Sequence, residues 1–254
     1  MELELWVVAL LCLAYFSAGY IDSIAGGGGL LTIPAILLAG VPADLAIGTT
    51  KLSATFGMSM ALRNYARSGL VIWKAATAGV PAVILGSILG SSALLSMSNE
   101  MIGKVVVFLL PLGILVTFLP KEDRGEREPS ARQLYVYLPL VCLVLGFYEG
   151  FFGPGAGSFM LMALHFMLGF GMLASSGTMK LLNVTATGAA LMVFIYQGKV
   201  LYLLAIPLTI AAVSGNYFGS RSAIRVGPKL IRKILAVSLS LLFASLIYKI
   251  WFDS

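Results

Sequence analysis

Apolar runs of helical length recur along the chain and are separated by short polar or glycine-rich breaks. The first runs from about Leu5 to Ile24 and stops at Gly26-Gly27-Gly28-Gly29. A short run, Leu30 to Ala39, is closed by Gly40-Val41-Pro42; Asp44 to Leu62, Leu70 to Met97 and Met101 to Leu119 follow. The hydrophilic stretch KEDRGEREPSAR, Lys121 to Arg132, is the obvious linker. After it come Leu134 to Phe152, the break Gly153-Pro154-Gly155-Ala156-Gly157, the short run Ser158 to Leu168, and then Met172 to Tyr196, Val200 to Phe218 and Leu230 to Trp251. Runs of roughly 20 apolar residues read as membrane spans. The pattern therefore predicts an all-α fold, a polytopic transmembrane helical bundle of about 8–10 membrane segments with glycine-broken helices. It divides into a first transmembrane half (1–120), a charged cytoplasmic linker (121–132) and a second transmembrane half (133–254).

Composition strengthens this picture. The 254 residues are 59% hydrophobic and 11% charged, against roughly 25% charged in a soluble domain, too little polar side chain to cover a water-facing surface. The mean hydropathy is +0.96. The opening Met-Glu-Leu-Glu lacks the positive region of a signal peptide, so a retained first helix is expected. A net charge of +6 would suggest nucleic acid in a soluble protein; here it fits Lys and Arg at a cytoplasmic membrane face, and no nucleic-acid partner is expected. Cys12 and Cys142 stand alone in apolar runs and read as buried small hydrophobes.

The two halves echo each other. An offset of 129 places Gly48, Thr49, Lys51 and Leu52 on Gly177, Thr178, Lys180 and Leu181, and Gly69, Gly86, Gly90 and Lys104 on Gly198, Gly215, Gly219 and Lys233. An offset of 127 places Asp22, Gly26 and Gly28 on Glu149, Gly153 and Gly155. Three basic clusters hold most of the 17 Lys and Arg: Arg63, Arg67, Lys74; Lys121, Arg124, Arg127, Arg132; and Arg221, Arg225, Lys229, Arg232, Lys233. The positive-inside rule puts all three on the cytoplasmic side. The positions equivalent to the first and third clusters carry only Lys199 and Lys104. That reversal of charge bias is expected of an inverted repeat, with each short segment adding a net crossing. A parallel arrangement of two four-helix halves is the alternative.

Asp22, Lys51, Glu149 and Lys180 are the ionisable residues predicted at membrane depth, with the lone His165 as a weaker fifth, better suited to a local hydrogen bond. A charge at a helix centre costs on the order of 3 kcal/mol, so four of them ask for a cause. One is a substrate or ion pathway; the other is an internal strut, Asp22 to Lys51 and Glu149 to Lys180. Gly26, Gly27, Gly28, Gly29 and Gly153, Gly155, Gly157 cannot continue a stable helix, and a helix starting after each break would aim free amides and a positive dipole end at an anion. For Gly86, Gly90, Gly215 and Gly219 close helix packing is the better reading. Thr49, Thr50, Ser53, Ser175, Ser176, Thr178 and Asn183 surround the lysines with donors suited to an oxyanion, or to interhelical hydrogen bonds. Asp22 and Glu149, beside the breaks, are candidates for proton coupling. GGGG and GPGAG lack the Gly-Lys-Ser/Thr of a nucleotide loop.

GGGGLLTIPAILLAG, AIGTTKL, the step Arg67-Ser68-Gly69, and FYEGFFGPGAGSF together resemble the sulfite exporter TauE/SafE family of membrane permeases over nearly the whole chain. The resemblance implies transport of small sulfur-containing or organic anions across a prokaryotic cytoplasmic membrane, coupled to an ion gradient. The family pattern would place Asn at Thr50, Asp at Glu149 and Thr at Ala156. The expectation is a multi-pass inner-membrane secondary transporter without cofactor or metal, its partners a small anionic substrate and the surrounding lipid. Its substrate residues are Gly26–Gly29, Thr49, Thr50, Lys51, Gly153, Gly155, Gly157, Ser176, Thr178, Lys180 and Asn183. An anion channel is the first rival. A membrane-embedded enzyme is the second, and HExxH, a Cys/His pair and a metal cluster are missing from the sequence.

Overall fold

A computed structural model describes residues 4–105, 108 and 127–227. The expected helix Leu230 to Trp251, most of Met101 to Leu119, and the linker up to residue 126 lie outside the described residues. Those described form an all-α bundle: α1 (Leu5–Ala25), α2 (Gly29–Leu38), α3 (Ala43–Arg67), α4 (Trp73–Leu95), α5 (Gln133–Phe151), α6 (Ala156–Met167), α7 (Met172–Tyr196) and α8 (Tyr202–Val226). The first turn of α5 (Gln133–Tyr137) and the last of α6 (Ala163–Met167) are π-helical.

Helices α1, α4, α5, α7 and α8 are long and apolar enough to cross a membrane. At 1.5 Å per residue they reach roughly 28–38 Å, matching a hydrocarbon core of about 30 Å. Helix α3 has the same length as α7 but carries Asp44, Lys51, Arg63 and Arg67; it sits inside the bundle, with Thr49, Lys51 and Ser53 buried. The burial pattern is inverted relative to a water-soluble protein. Leu10, Leu85, Val144, Leu203 and Ile210 face outward, while Ser87, Ser91, Ser158, Thr187 and Ser220 are enclosed. Lipid tails reward an apolar exterior, and polar groups find partners only inside.

Glycines set how closely the helices approach. A Cβ added at Gly86 or Gly90 of α4 would lie 2.1 Å from the carbonyl oxygens of Leu143 or Phe147 on α5. At Gly215 and Gly219 of α8 it would lie 2.0 and 2.2 Å from those of Phe16 and Tyr20 on α1. These glycines have the packing role expected of small residues at spacings of four. In both contacts residue numbers rise together, so α4 runs parallel to α5, and α1 to α8. Ser53 meets Thr209 and Asn64 meets Ser220, making α3 parallel to α8. Ile72 meets Thr178 and Ser87 reaches Ala186, making α4 parallel to α7. Asp22 meets Lys180 while Ile24 meets Ser176, so α1 and α7 oppose each other. One set (α1, α3, α8) thus runs against the other (α4, α5, α7).

His165 Nδ1 lies 2.7 Å from the Phe170 carbonyl, the local hydrogen bond expected of it. Cys12 and Cys142 are free thiols, and Cys142 is fully buried against Gly79.

Candidate functional site

The two glycine breaks meet at the centre of the bundle. Gly26 (φ 77°) and Gly27 (φ 103°) end α1, and Gly153 (φ 96°) and Gly155 (φ 84°) separate α5 from α6. These left-handed conformations favour glycine. A Cβ at Gly26 would lie 2.6 Å from the Gly157 carbonyl carbon, and one at Gly29 would lie 3.1 Å from Pro154. Ser158 Oγ donates to the Ala25 carbonyl at 2.8 Å. Backbone thus touches backbone where two helices end and two shorter ones begin.

Beside this junction lie two ion pairs. Lys51 Nζ on α3 is 2.9 Å from Glu149 Oε1 at the end of α5, and it also donates to the Glu149 carbonyl. Lys180 Nζ on α7 is 2.6 Å from Asp22 Oδ2 at the end of α1, and it also donates to the Asp22 carbonyl. Thr187 Oγ1 gives Glu149 Oε1 a second donor at 2.7 Å, and the Gly28 amide donates to Asp22 Oδ1 at 3.1 Å. The pairing is therefore exchanged relative to the strut expected from sequence: each lysine takes the acid of the other half. The four charges cancel, because a buried ammonium without a carboxylate is far costlier than a paired one.

A cavity of about 70 Å³ opens here. Of the residues singled out from the sequence, Asp22, Gly27, Gly28, Gly29, Thr50, Lys51, Glu149, Gly153, Gly155, Gly157 and Asn183 line it. Gly26, Thr49, Ser176, Thr178 and Lys180 do not line it, and their contacts explain why. Thr49 Oγ1 accepts from the Leu201 amide at 3.0 Å, and Thr178 Oγ1 from the Ile72 amide at 3.0 Å. Each hydroxyl thereby satisfies a backbone donor at the start of α8 or α4, an orphan group in any helix. Ser176 Oγ donates to the Met172 carbonyl at 3.1 Å. Lys180 is wholly enclosed, its ammonium taken up by Asp22.

Three polar residues of the cavity, Tyr15, Thr32 and Asn216, were not singled out from the sequence. Tyr15 and Thr50 share a hydrogen bond of 2.7 Å between hydroxyls. Asn216, 2% exposed, donates from Nδ2 to the Ala212 carbonyl at 3.0 Å; among the described residues its Oδ1 is the one buried side-chain polar atom without a partner. Turning the amide over would set two oxygens against each other, so the free acceptor is fixed. The available signal was an amide beside Gly215, on a helix whose other polar residues are hydroxyls and terminal arginines. Among the described residues no group of three His, Cys, Asp or Glu is placed to hold a metal ion.

The sequence profile of the family described as sulfite exporter TauE/SafE matches residues 11–246. The chain belongs to the TauE/SafE family. Curated relatives of the family agree with that. A probable membrane transporter protein, ORF9, of Sinorhizobium is 35% identical over 93% of this chain and 90% of its own length. One from Haemophilus influenzae is 33% identical over 98% and 97%, and YfcA of Escherichia coli K12 is 33% identical over 91% and 86%. No solved structure matches this one. The protein is thus a member of a membrane transporter family, with transmembrane helices to match.

Proposed function

We propose that this protein is a secondary transporter of small anions, sulfite or an organosulfur or organic acid of similar size, coupled to the proton gradient across the cytoplasmic membrane. The observation that carries the reading is the Lys51–Glu149 pair, an ammonium on the wall of the central cavity whose counter-charge is a carboxylate on the same wall. A deprotonated Glu149 competes with any anion for Lys51. Adding a proton to that carboxylate removes the competitor and leaves an ammonium that an anion neutralises, so one proton and one negative charge enter together. The short helices that begin at the breaks add the positive ends of their dipoles.

The volume supports a small substrate. A buried water needs about 10–15 Å³ by this measure, so 70 Å³ holds about five. That suits sulfite, a sulfur with three oxygens, better than sulfoacetate. The opposed directions of α1 and α5, α3 and α7, and α4 and α8 support the inverted-repeat reading, in which the site is exposed to each side in turn. Sidedness is supported by Arg63, Arg67, Arg221 and Arg225, which share one surface depression, and by Arg127, which lies beside Ile72 at the same end of the bundle. Asp44, paired with Lys199 at 2.7 Å, lies at the other end. The arginine end is cytoplasmic under the positive-inside rule.

The test is flux into proteoliposomes across sulfite, thiosulfate, sulfoacetate and short carboxylates, with and without an inward proton gradient. Saturable, gradient-stimulated uptake favouring the smallest oxyanions is expected. Uptake that does not saturate and ignores the gradient would make the protein a channel.

A further inference from the structure

The arginine end carries a feature that transport through the central cavity does not use. Arg63 and Arg67 lie one turn apart at the end of α3, and Arg221 and Arg225 one turn apart at the end of α8. All four line one depression of about 330 Å³, together with Asn64, Tyr217 and Ile224. None of them joins an ion pair among the described residues; the pairs there belong to Lys51, Lys104, Lys180 and Lys199. The pocket is also built. Arg221 stacks on the Tyr217 ring, 4.9 Å from its centroid, and donates to the Tyr217 hydroxyl at 2.6 Å. Asn64 donates to Ser220 Oγ at 2.8 Å and ties the two helices together below it.

Four guanidinium groups that pair with no carboxylate among the described residues repel one another, and a multiply hydrogen-bonded oxyanion relieves that repulsion better than water does. Guanidinium suits phosphate because its planar fork gives two parallel donors. The source of the phosphate is indicated by what lies below. Leu203, Ile206, Ile210 and Phe218 are exposed on α8, spaced so that they share a face with Arg221 and Arg225, and Leu203 is 87% exposed. An apolar stripe of membrane depth thus ends at a cationic pocket.

We propose that this pocket binds the phosphate headgroup of an anionic phospholipid whose acyl chains lie along the exposed face of α8. The lipid seats the ends of α3 and α8, the two helices that contribute Lys51 and Asn216 to the central cavity, and so holds the wall of that cavity in place.

The probe is phosphatidylglycerol added to the purified full chain in detergent, compared with phosphatidylcholine and with inorganic phosphate. Bound lipid is counted by native mass spectrometry and affinity is read from a titration. Phosphatidylglycerol is expected to bind about tenfold or more tightly than phosphatidylcholine, less so at high salt, and inorganic phosphate only weakly. Arg67→Gln/Arg225→Gln should abolish the preference, and Arg67→Lys/Arg225→Lys should keep part of it, since charge remains while the planar fork is lost. If the Gln variant does not fold, the Lys variant decides alone, by a reduced preference or an unchanged one. Equal binding of the two lipids, or variants that retain wild-type preference, would overturn the proposal. Inorganic phosphate binding as tightly as phosphatidylglycerol would assign the pocket to a soluble anion and overturn the lipid assignment.

Discussion

Exchange of the ion pairs between the halves makes a prediction that separates this arrangement from its alternative. Lys51→Gln leaves Glu149 6% exposed with Thr187 as its remaining side-chain donor. Removing one partner of a buried pair costs about 3–5 kcal/mol, mostly the penalty of the orphaned charge. Neutralising the orphan as well, in Lys51→Gln/Glu149→Gln, should recover most of that loss, a coupling of about 2–3 kcal/mol in a double-mutant cycle. The mismatched double variant, Lys51→Gln/Asp22→Asn, should do the reverse. It orphans Glu149 and also Lys180, which is fully buried, so the two penalties add to about 6–10 kcal/mol. Most domains have no more than about 5–15 kcal/mol of total stability, so little folded protein should remain. For Lys180→Gln the roles switch: Asp22→Asn rescues and Glu149→Gln does not. The assay is thermal unfolding in detergent, followed by tryptophan fluorescence and by the monodisperse fraction on size exclusion. Rescue of Lys51→Gln by Asp22→Asn would refute the exchanged pairing, and equal effects from both acids would show that neither contact carries the energy.

Three further outcomes follow from the same geometry. Cysteines placed at Ser68 and Ser222, at the ends of α3 and α8 that share the arginine depression, should react with an impermeant thiol reagent from the same side; labelling from opposite sides would contradict the parallel course of these helices. Asn216→Val removes a buried acceptor without a partner, so thermal stability should hold or rise, and anion affinity should not fall, because a carbonyl oxygen offers an oxyanion no hydrogen; a clear loss of affinity in proteoliposomes would show that the amide donor, held by the Ala212 carbonyl here, turns to the substrate. Gly26→Ala combines a left-handed φ of 77° with a Cβ 2.6 Å from the Gly157 backbone, and should lower the yield of folded protein sharply, whereas Gly40→Ala, with nothing within 4 Å, should cost only about 1–2 kcal/mol of backbone strain; equal expression of the two would show that the breaks do not pack as described.

Much of the helical layout is legible in the hydrophobic runs. Met172 to Tyr196 matches α7 at both ends, and α1, α2, α4, α5 and α6 fall within a few residues of their apolar runs. The expectation stops short for α3, at Leu62 rather than Arg67, and for α8, at Phe218 rather than Val226. The reason is common to both. Their last turns carry exposed arginines, which a helix leaving the membrane tolerates because long cationic side chains reach outward from its end, so the helix outlasts its hydrophobic signal. The junction of the breaks was legible because glycine runs at membrane depth need protein around them. The partner of each lysine was not. Asp22 and Lys51, or Glu149 and Lys180, are close enough in sequence for a local strut, and only the packing of α3 against α7 decides that each reaches across. Thr49 and Thr178 show the same limit: a hydroxyl beside a lysine suits a ligand or a helix start equally well, and here the starts of α8 and α4 claim them.

The central claim is that a proton on Glu149 frees Lys51 for an anion. The direct measurement is anion-driven proton entry: sulfite added outside proteoliposomes that hold an entrapped pH dye, with the membrane potential clamped at zero. Wild-type protein should acidify the lumen in step with sulfite uptake, faster at lower external pH. Glu149→Gln should still bind and exchange sulfite but carry no protons and lose the pH dependence. Proton entry that survives in Glu149→Gln, or sulfite uptake by the wild type without any proton entry, would contradict the account.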